Sequence, residues 1–196
     1  MILATHLIFS AYGFWLPNDP RGSWSKFVAS WDLLKYGKAT TVSADRSLAY
    51  KPHDVSLRRR AKSALKYSPV QFTGIQARAI ARRFAHAIRE RSYVLHACCI
   101  LPDHVHLVIA RHARPANEIV GHLKFAATQR LLKEDLHPFS GTESGEELPS
   151  PWARGTWQVF LDSPADVRRA IRYMEDNPLK EGKRRQRWPF VTAYVE

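Results

Sequence analysis

The clearest structural signal in the chain is the stretch Leu101-Pro-Asp-His-Val-His-Leu-Val-Ile-Ala110. Its Val, Leu and Ile residues favour a β-strand, and side chains alternate between the two faces of a strand. His104, His106 and Val108 therefore share one face, while the opposite face is wholly apolar and predicts burial against a core. A His-x-His pair is also typical of half-buried surface histidines. A partner elsewhere in the chain is needed to distinguish a binding site from that simpler interpretation.

The segments on both sides of this strand alternate between strand and helix patterns. Strands are predicted over 4–10, 93–101 and 156–161, and helices over 73–91, 117–134 and 164–177, where Pro178 ends the last helix. This order is typical of the ferredoxin-like, split βαβ architecture. The sequence therefore predicts an α+β fold with an antiparallel sheet. Two helices cover one face of the sheet, and the two histidines point to the other, open face.

We expect a single domain over residues 1–196. Within it, residues 25–70 are predicted to be an irregular insertion with short helical pieces around 56–66, and residues 178–196 a C-terminal tail. Before the insertion, residues 12–24 combine aromatic rings with Pro and Gly, which predicts a rigid loop. Those rings suit either stacking on unpaired bases or packing at the edge of a core.

The composition indicates which kind of partner the protein binds and where in the cell it is expected. The 196 residues carry a formal net charge of +12 and have a pI of about 10.0, which favours a polyanionic partner such as nucleic acid. Cys98 and Cys99 are adjacent and cannot close a loop through a disulfide, so a cytoplasmic location is expected. No apolar run approaches the ~20 residues of a membrane span, and the first residues are predicted to form a strand rather than a signal peptide.

Basic residues concentrate in two segments, 58–91 and 168–187. A basic run is often a solvated face, but two such segments in a net basic chain favour phosphate binding. Contacts with nucleic-acid phosphates are predicted for the following side chains: Lys124, Arg154, Arg172, Arg184 and Arg185.

The last predicted helix supplies a partner for the histidine pair. Tyr173 and Asn177 are four residues apart, so they share one face of that helix. Two imidazoles and one amide oxygen are able to hold a divalent ion with coordination positions left open, and a phenol would lie one turn away. A Tyr within a helix is usually a packing residue, and Asn before Pro usually marks a helix end. The combination with His104 and His106 is much more specific than either residue alone.

These residues carry a resemblance to a known family. His104-Val105-His106 resembles the His-hydrophobe-His motif of HUH single-tyrosine transposases, and Tyr173-x-x-x-Asn177-Pro178 resembles the signature of their REP-associated tyrosine transposase branch. Three further segments are also similar to that branch or to some of its bacterial members: Trp152-x-Arg-Gly-x-Trp157, Trp188-Pro189 and the aromatic loop at 12–24. The resemblance covers residues 4–24 and 72–190, and the stretch 25–70 departs from it.

The resemblance implies a ferredoxin-like enzyme that cleaves and rejoins single-stranded DNA near hairpins. It implies that Tyr173 is the nucleophile of a 5′-phosphotyrosine intermediate and that His104, His106 and Asn177 hold a divalent metal. The family implies Mg²⁺ or Mn²⁺, which also suits an amide oxygen, although imidazoles suit Zn²⁺ as well. A phenol titrates near pH ~10, so Tyr173 needs a cationic setting. Family members act as monomers or homodimers, and no membrane partner is implied.

Three alternatives remain open from the sequence. The protein is an inactive hairpin-DNA-binding module, an RNA-binding ferredoxin-like domain, or a metal nuclease that uses water instead of Tyr173. RNA-binding domains of this fold stack bases on aromatic side chains of the sheet, whereas this sheet presents His104 and His106. A pure binding module has no need of the full set of histidines, Tyr173 and Asn177. Both observations favour the tyrosine enzyme.

Overall fold

The computed structural model describes residues 1–43, 48–141 and 148–195. The strands are β1 (Ala4–Ser10), β2 (Leu95–Ile100), β3 (His104–Ala110) and β4 (Trp157–Leu161). The helices are α1 (Trp31–Leu34), α2 (Val55–Ser63), α3 (Gly74–Arg91), α4 (Ala116–Lys133) and α5 (Pro164–Lys180). No helix among these residues is long and apolar enough to cross a membrane.

The chain divides into two compact units. Unit 1 comprises Met1–Ala11 and Gln71–Glu196, and unit 2 comprises Tyr12–Val70. The predicted insertion spans 25–70, whereas unit 2 begins at Tyr12 and takes in the aromatic loop. The reason is that the loop is joined to the residues after it by side-chain hydrogen bonds, as described below.

The sheet of unit 1 has the strand order β2-β3-β1-β4, and every neighbouring pair is antiparallel. Helix α4 connects β3 to β4, and α3 precedes β2. The predicted α+β class with an antiparallel sheet is confirmed. In the register of β1 and β3, His106 lies opposite Ile8 and Val108 lies opposite His6, so all four side chains share one face.

The other face is the apolar one predicted from the β3 sequence. Val105, Leu107 and Ile109 are buried there, and Phe84 of α3 meets Phe9 of β1 with 6.4 Å between ring centroids. Helices α3 and α4 pack together on this face. Helix α3 begins with the predicted capping box, in which Thr73 and Gln76 exchange side-chain and backbone hydrogen bonds.

The histidine face is covered by α5 and is not open, so that part of the prediction is wrong. Val167, Ala170 and Met174 of α5 form an apolar stripe that packs on Val108 and Cys99. The stripe follows helical spacing, and the sheet offers apolar residues beyond the two histidines, so burying both surfaces is favourable. The polar residues therefore lie at one end of a packed interface rather than on a bare surface.

Helix α5 also continues past the predicted stop. Pro178 lies inside the helix, which ends at Lys180. A proline removes one backbone donor and disturbs the preceding turn, a cost that is smallest close to a helix end. Asn177 and Pro178 are both buried, and the carbonyl of Pro178 accepts hydrogen bonds from the backbone of Glu181 and Lys183. These bonds satisfy one of the carbonyls at the helix end.

Part of the predicted tail, 178–196, lies along the edge strand β2. The side chain of Gln186 accepts from the backbone N–H of Ile100 at 2.8 Å and donates to its carbonyl at 2.7 Å. Further along, Thr192 donates to the carbonyl of Leu95 at 2.7 Å, and Val191 forms a parallel bridge with that residue.

Unit 2 combines a small apolar core with buried polar groups. Its core consists of Leu16, Val28, Leu33 and Ala61. Arg21 forms a two-pronged ion pair with Asp19, with donor–acceptor distances of 2.8 Å for both bonds. The side chains are 7% and 0% exposed, and the guanidinium of Arg21 lies 3.7 Å from the ring centroid of Trp15.

The neighbours of this ion pair fasten the aromatic loop to later residues. Asn18 donates to the carbonyl of Leu33 at 2.7 Å, and Thr40 donates to the carbonyl of Asp19 at 2.7 Å. Gly22 has a φ of +117°, and a Cβ there would lie 2.8 Å from the side chain of Val42. Glycine is therefore required at this turn.

Candidate active site

Strand β3 and helix α5 bring the four predicted site residues together. Asn177 donates from Nδ2 to Nε2 of His106 at 2.9 Å, and both side chains are buried. The ring centroids of His104 and His106 are 4.7 Å apart, and those of His106 and Tyr173 are 5.9 Å apart. Tyr173 is 39% exposed, whereas His106 and Asn177 beside it are buried.

His6 of β1 is a member of the site that the sequence analysis missed. Its Nε2 lies 3.0 Å from Nδ1 of His106, and its ring centroid lies 6.1 Å from that of Tyr173. A lone histidine on a strand has no spacing signal. The pairing of β1 with β3, which puts His6 opposite Val108, is what places it here.

The contacts of His106 define its protonation. Burial lowers the pKa of His6 to about 4, and burial, followed by the neighbouring His104, His6 and Lys180, lowers the pKa of His106 well below its usual value. Both rings are therefore neutral at neutral pH. Because Asn177 donates to Nε2 of His106, that nitrogen carries no proton. The proton is on Nδ1 and is donated to His6, which leaves a lone pair on Nε2 facing Asn177.

Lys180 places a cation beside the ring of Tyr173. Its Nζ lies 4.3 Å from the ring centroid of Tyr173. The two residues are seven positions apart, two turns along α5, so helical spacing from Tyr173 is the signal that could have found it. A cation at this distance stabilises a phenolate relative to a phenol.

Oxygen ligands also gather at the same end of the sheet. The ligand atoms of Asp103, His104 and Glu181 all lie within 4.8 Å of one another. Asp103 Oδ1 lies 2.6 Å from Nδ1 of His104, which orients that ring. Glu181 follows Asn177 by four residues, so it lies on the same side of the helix end. Carboxylate and amide oxygens beside imidazoles are a donor set that fits a divalent ion.

Known proteins share this chain's sequence and fold in part. The chain is 30% identical over 88 residues to a protein of Haemophilus influenzae (strain ATCC 51907 / DSM 11121 / KW20 / Rd) that is named as a REP-associated tyrosine transposase, a match covering 44% of this chain and 49% of that relative. A solved structure of a REP-associated tyrosine transposase bound to a REP hairpin has a TM-score of 0.50 at 14% identity, covering 96% of this chain and 74% of that chain. The resemblance to REP-associated tyrosine transposases is confirmed.

No protein-family model matches the chain. The chain spans about half the length of the curated transposase, and the solved transposase structure supports the α+β fold.

A buried thiol also lies beside these candidate ligands. Cys99 lies opposite His106 in the pairing of β2 with β3. Burial raises its pKa to about 12, with a smaller contribution from Glu181. A protonated thiol is a poor metal ligand at neutral pH, so the histidines, amide and carboxylates remain the donors.

The predicted DNA contacts differ in accessibility. Arg154, Arg172 and Arg184 are exposed, and Arg172 lines a cleft of about 620 Å³ with Arg187 and Trp188. Arg185 is also exposed, and its guanidinium lies 2.5 Å from Asp176.

Lys124 is placed differently from these arginines. Its ammonium donates to the carbonyls of Ala153 at 2.9 Å and Gly155 at 2.7 Å, and burial lowers its pKa to about 8. Lys124 thus holds the backbone on both sides of Arg154. Its predicted contact with DNA stays a prediction.

Proposed function

We propose that this protein is a transposase-like, metal-dependent enzyme that cleaves and rejoins single-stranded DNA near hairpins through a 5′-phosphotyrosine intermediate at Tyr173. The observation that carries the proposal is the accessible phenol of Tyr173 beside Lys180 and the buried His6–His106–Asn177 chain of hydrogen bonds. Few structural roles require a half-exposed tyrosine, a cation over its ring and two neutral histidines in one place.

The proposed reaction exchanges one phosphodiester for another. The phenolic oxygen of Tyr173 attacks a backbone phosphorus, the new O–P bond forms, and the bond from phosphorus to the 3′ oxygen breaks. The phenol proton passes to water, and the departing 3′ oxygen takes up a proton to become a hydroxyl. In rejoining, a 3′ hydroxyl attacks the phosphotyrosine and the phenol is restored. Because bond energy is conserved, no nucleotide cofactor is required.

The neighbouring residues favour this chemistry at neutral pH. Lys180 stabilises the negative charge of the attacking phenolate. His6 accepts a hydrogen bond from Nδ1–H of His106 and so keeps Nε2 unprotonated. The Nε2 lone pair accepts from Nδ2 of Asn177, and it would bind a metal once that amide turns its oxygen toward the ion. Asp103 in turn orients the ring of His104. These contacts orient both histidine rings before DNA arrives.

The proposed metal ligands are His104, His106 and Asn177, with Glu181 as a further oxygen donor. Mg²⁺ or Mn²⁺ bound there would polarise the phosphate and stabilise the charge of the transition state.

The proposed substrate is single-stranded DNA next to a hairpin. The net charge of +12 and the exposed Arg154, Arg172, Arg184 and Arg185 suit a polyanion. The name of the curated relative and the hairpin in the solved transposase structure support this choice.

An adduct assay tests the proposal. The full chain is incubated with Mg²⁺ and a labelled hairpin oligonucleotide that carries single-stranded flanks, and the products are resolved under denaturing conditions. We expect labelled DNA to remain attached to the protein, and Tyr173→Phe to abolish the adduct. Tyr50→Phe is the matched control, because Tyr50 is 86% exposed and lies outside the site. This control should form as much adduct as the unaltered chain.

The same assay separates the alternatives. Cleaved DNA without an adduct, unaffected by Tyr173→Phe, would identify a hydrolytic nuclease. Binding without cleavage would identify an inactive DNA-binding module, and a preference for the RNA version of the hairpin would identify an RNA-binding domain. Each of these results contradicts the proposed function.

A further inference from the structure

Unit 2 carries more than half of the excess positive charge of the chain. Between Tyr12 and Val70 there are eleven Lys and Arg residues and four Asp residues, which is a net charge of +7 out of +12. The described Asp side chains are engaged within the unit, in two ion pairs and one helix cap: Asp19–Arg21, Asp32–Lys35 and Asp54 at α2. The excess positive charge therefore has little acidic compensation among the described residues.

Arg59 and Arg60 concentrate this charge at a cleft. Both are exposed on α2, and with Tyr36 and Ser56 they line a cleft of about 560 Å³. Among the residues that the structure describes, neither guanidinium has a carboxylate partner. The pKa of the adjacent Arg58 is lowered by burial and then by neighbouring cations. An anion in the cleft would offset the positive charges of Arg59 and Arg60.

Unit 2 also exposes large aromatic rings. Trp31 is 88% exposed, Tyr50 is 86% exposed and Phe27 is 71% exposed. Unpaired bases stack on such rings, whereas the bases inside a duplex are already stacked on each other. Within unit 2, exposed rings and arginines without a carboxylate partner are therefore features that suit single strands better than duplex DNA.

We propose that unit 2 binds the single-stranded DNA that flanks the hairpin. Arg59 and Arg60 pair with phosphates in the cleft, and Trp31 stacks on an unpaired base. The identity of the nucleic acid as DNA rests on the proposed function. The proposal gives a role to the insertion at 25–70, where the resemblance to the transposases offers none.

A binding experiment tests the role of the cleft. In the full chain carrying Tyr173→Phe, which prevents covalent capture, fluorescence anisotropy measures the Kd for a hairpin with single-stranded flanks and for the same hairpin with blunt ends. We expect Arg59→Ala/Arg60→Ala to raise the Kd for the flanked hairpin about tenfold and to reduce its salt dependence by about two phosphate contacts. The Kd for the blunt hairpin should change less than twofold.

The matched control removes the same charge elsewhere. Arg111→Ala/Arg114→Ala replaces two exposed arginines between β3 and α4 of unit 1, outside both basic segments, and should change both Kd values less than twofold. Equal losses for the two double variants would overturn the proposal, because they would show a general charge effect. An equal loss for flanked and blunt hairpins would overturn it too. A larger effect on a flanked RNA hairpin than on DNA would overturn the assignment to DNA.

A second variant tests the stacking. Trp31→Ala should raise the Kd for the flanked hairpin about fivefold and leave the salt dependence unchanged, because no phosphate contact is lost. Phe125→Ala is its control, since this ring is 66% exposed on α4 of unit 1. Equal effects of the two substitutions would contradict a specific role for Trp31.

The binding experiment on unit 2 and the adduct assay are able to fail independently of each other. With Tyr173 present and DNA at saturation, Arg59→Ala/Arg60→Ala should form the adduct at the rate of the unaltered chain. Flank-dependent binding without any adduct would leave the role of unit 2 intact and contradict the proposed chemistry. If the adduct forms and the two substitutions change neither its rate of formation nor the Kd for DNA, only the role of unit 2 would be contradicted.

Discussion

In unit 1 the sheet is buried between helices by apolar side chains on both faces, whereas unit 2 buries an Asp19–Arg21 ion pair beside a small apolar core. An apolar core loses stability in proportion to the contacts removed. A buried ion pair behaves differently, because losing one partner leaves an uncompensated charge out of water. Removing one partner of the buried ion pair in unit 2 should therefore cost more stability than removing a surface charge. It should also cost more than truncating an apolar side chain of unit 1 where the surroundings are able to repack.

The largest stability effect is expected from Asp19→Asn. The substitution preserves shape but leaves the buried guanidinium of Arg21 without its counter-charge, and it should lower the free energy of unfolding of unit 2 by about 3–5 kcal/mol. Urea denaturation followed by tryptophan fluorescence measures this, since Trp15 stacks on Arg21. Asp32→Asn removes an exposed pair with Lys35 and should cost less than ~1 kcal/mol. Similar losses for the two variants would contradict the contrast between the units.

In unit 1 the corresponding test is Leu107→Ala. Leu107 is fully buried on the face covered by α3 and α4, and the cavity should cost about 3 kcal/mol. Urea denaturation followed by far-ultraviolet circular dichroism measures the change. Leu132→Ala on α4, where the side chain is 38% exposed, is the control and should cost less than ~1 kcal/mol. A loss at Leu107 no larger than at Leu132 would show that this face is not the main core.

The contrast also explains which features were predictable from the sequence. The alternation in β3 and the capping box at Thr73 are local patterns, and the structure has both. The four candidate site residues could be proposed because His104 and His106 are one strand repeat apart and Tyr173 and Asn177 are one helical turn apart, and the structure brings them together. Periodicity contains all of this information.

Features that depend on tertiary contacts were not predictable in this way. His6 joins the site only through the register of β1 with β3, and Glu181 only because α5 continues past Pro178. The apolar stripe of α5 predicts that the helix is buried but does not indicate which face of the sheet it covers, so the covering of the histidine face depends on tertiary contacts. The ion pair of unit 2 has a short sequence separation, but nothing in the sequence indicates that it is buried.

The hydrogen-bonded series His6–His106–Asn177 is a buried polar network within unit 1. Substitutions of His6 test whether this network matters for activity. His6→Leu removes the acceptor for the Nδ1 proton of His106 and should lower kcat about 10- to 100-fold with little change in KM. His6→Gln retains an acceptor and should recover part of the loss. Single-turnover cleavage of the flanked hairpin measures both variants.

The exposed His86→Gln on α3 is the control for these variants and should leave the rate unchanged. Equal losses with Leu and Gln at position 6, or a loss confined to protein stability, would contradict a positioning role for His6.

The smallest effect is expected at the start of the helix that carries Tyr173. Ser163 caps α5 by accepting from the backbone of Asp166 at 3.2 Å and donating to its carboxylate at 2.6 Å. Ser163→Ala should lower stability by about 1 kcal/mol. Thermal denaturation measures the loss, with Ser63→Ala at the exposed end of α2 as a control that should change stability by less than ~0.5 kcal/mol. A neutral Ser163→Ala would show that packing alone sets the start of α5.

The hydrogen bonds of Gln186 with Ile100 have a consequence for how deletions behave. A bare edge strand attracts strands from other molecules, and Gln186 and Thr192 occupy backbone groups of β2 that would otherwise be available. Deleting the basic residues after Lys183 would remove this cover together with the charge, and the shortened chain would then tend to self-associate through β2. Individual substitutions of Arg184 and Arg185 keep the edge protected and report on the charge alone.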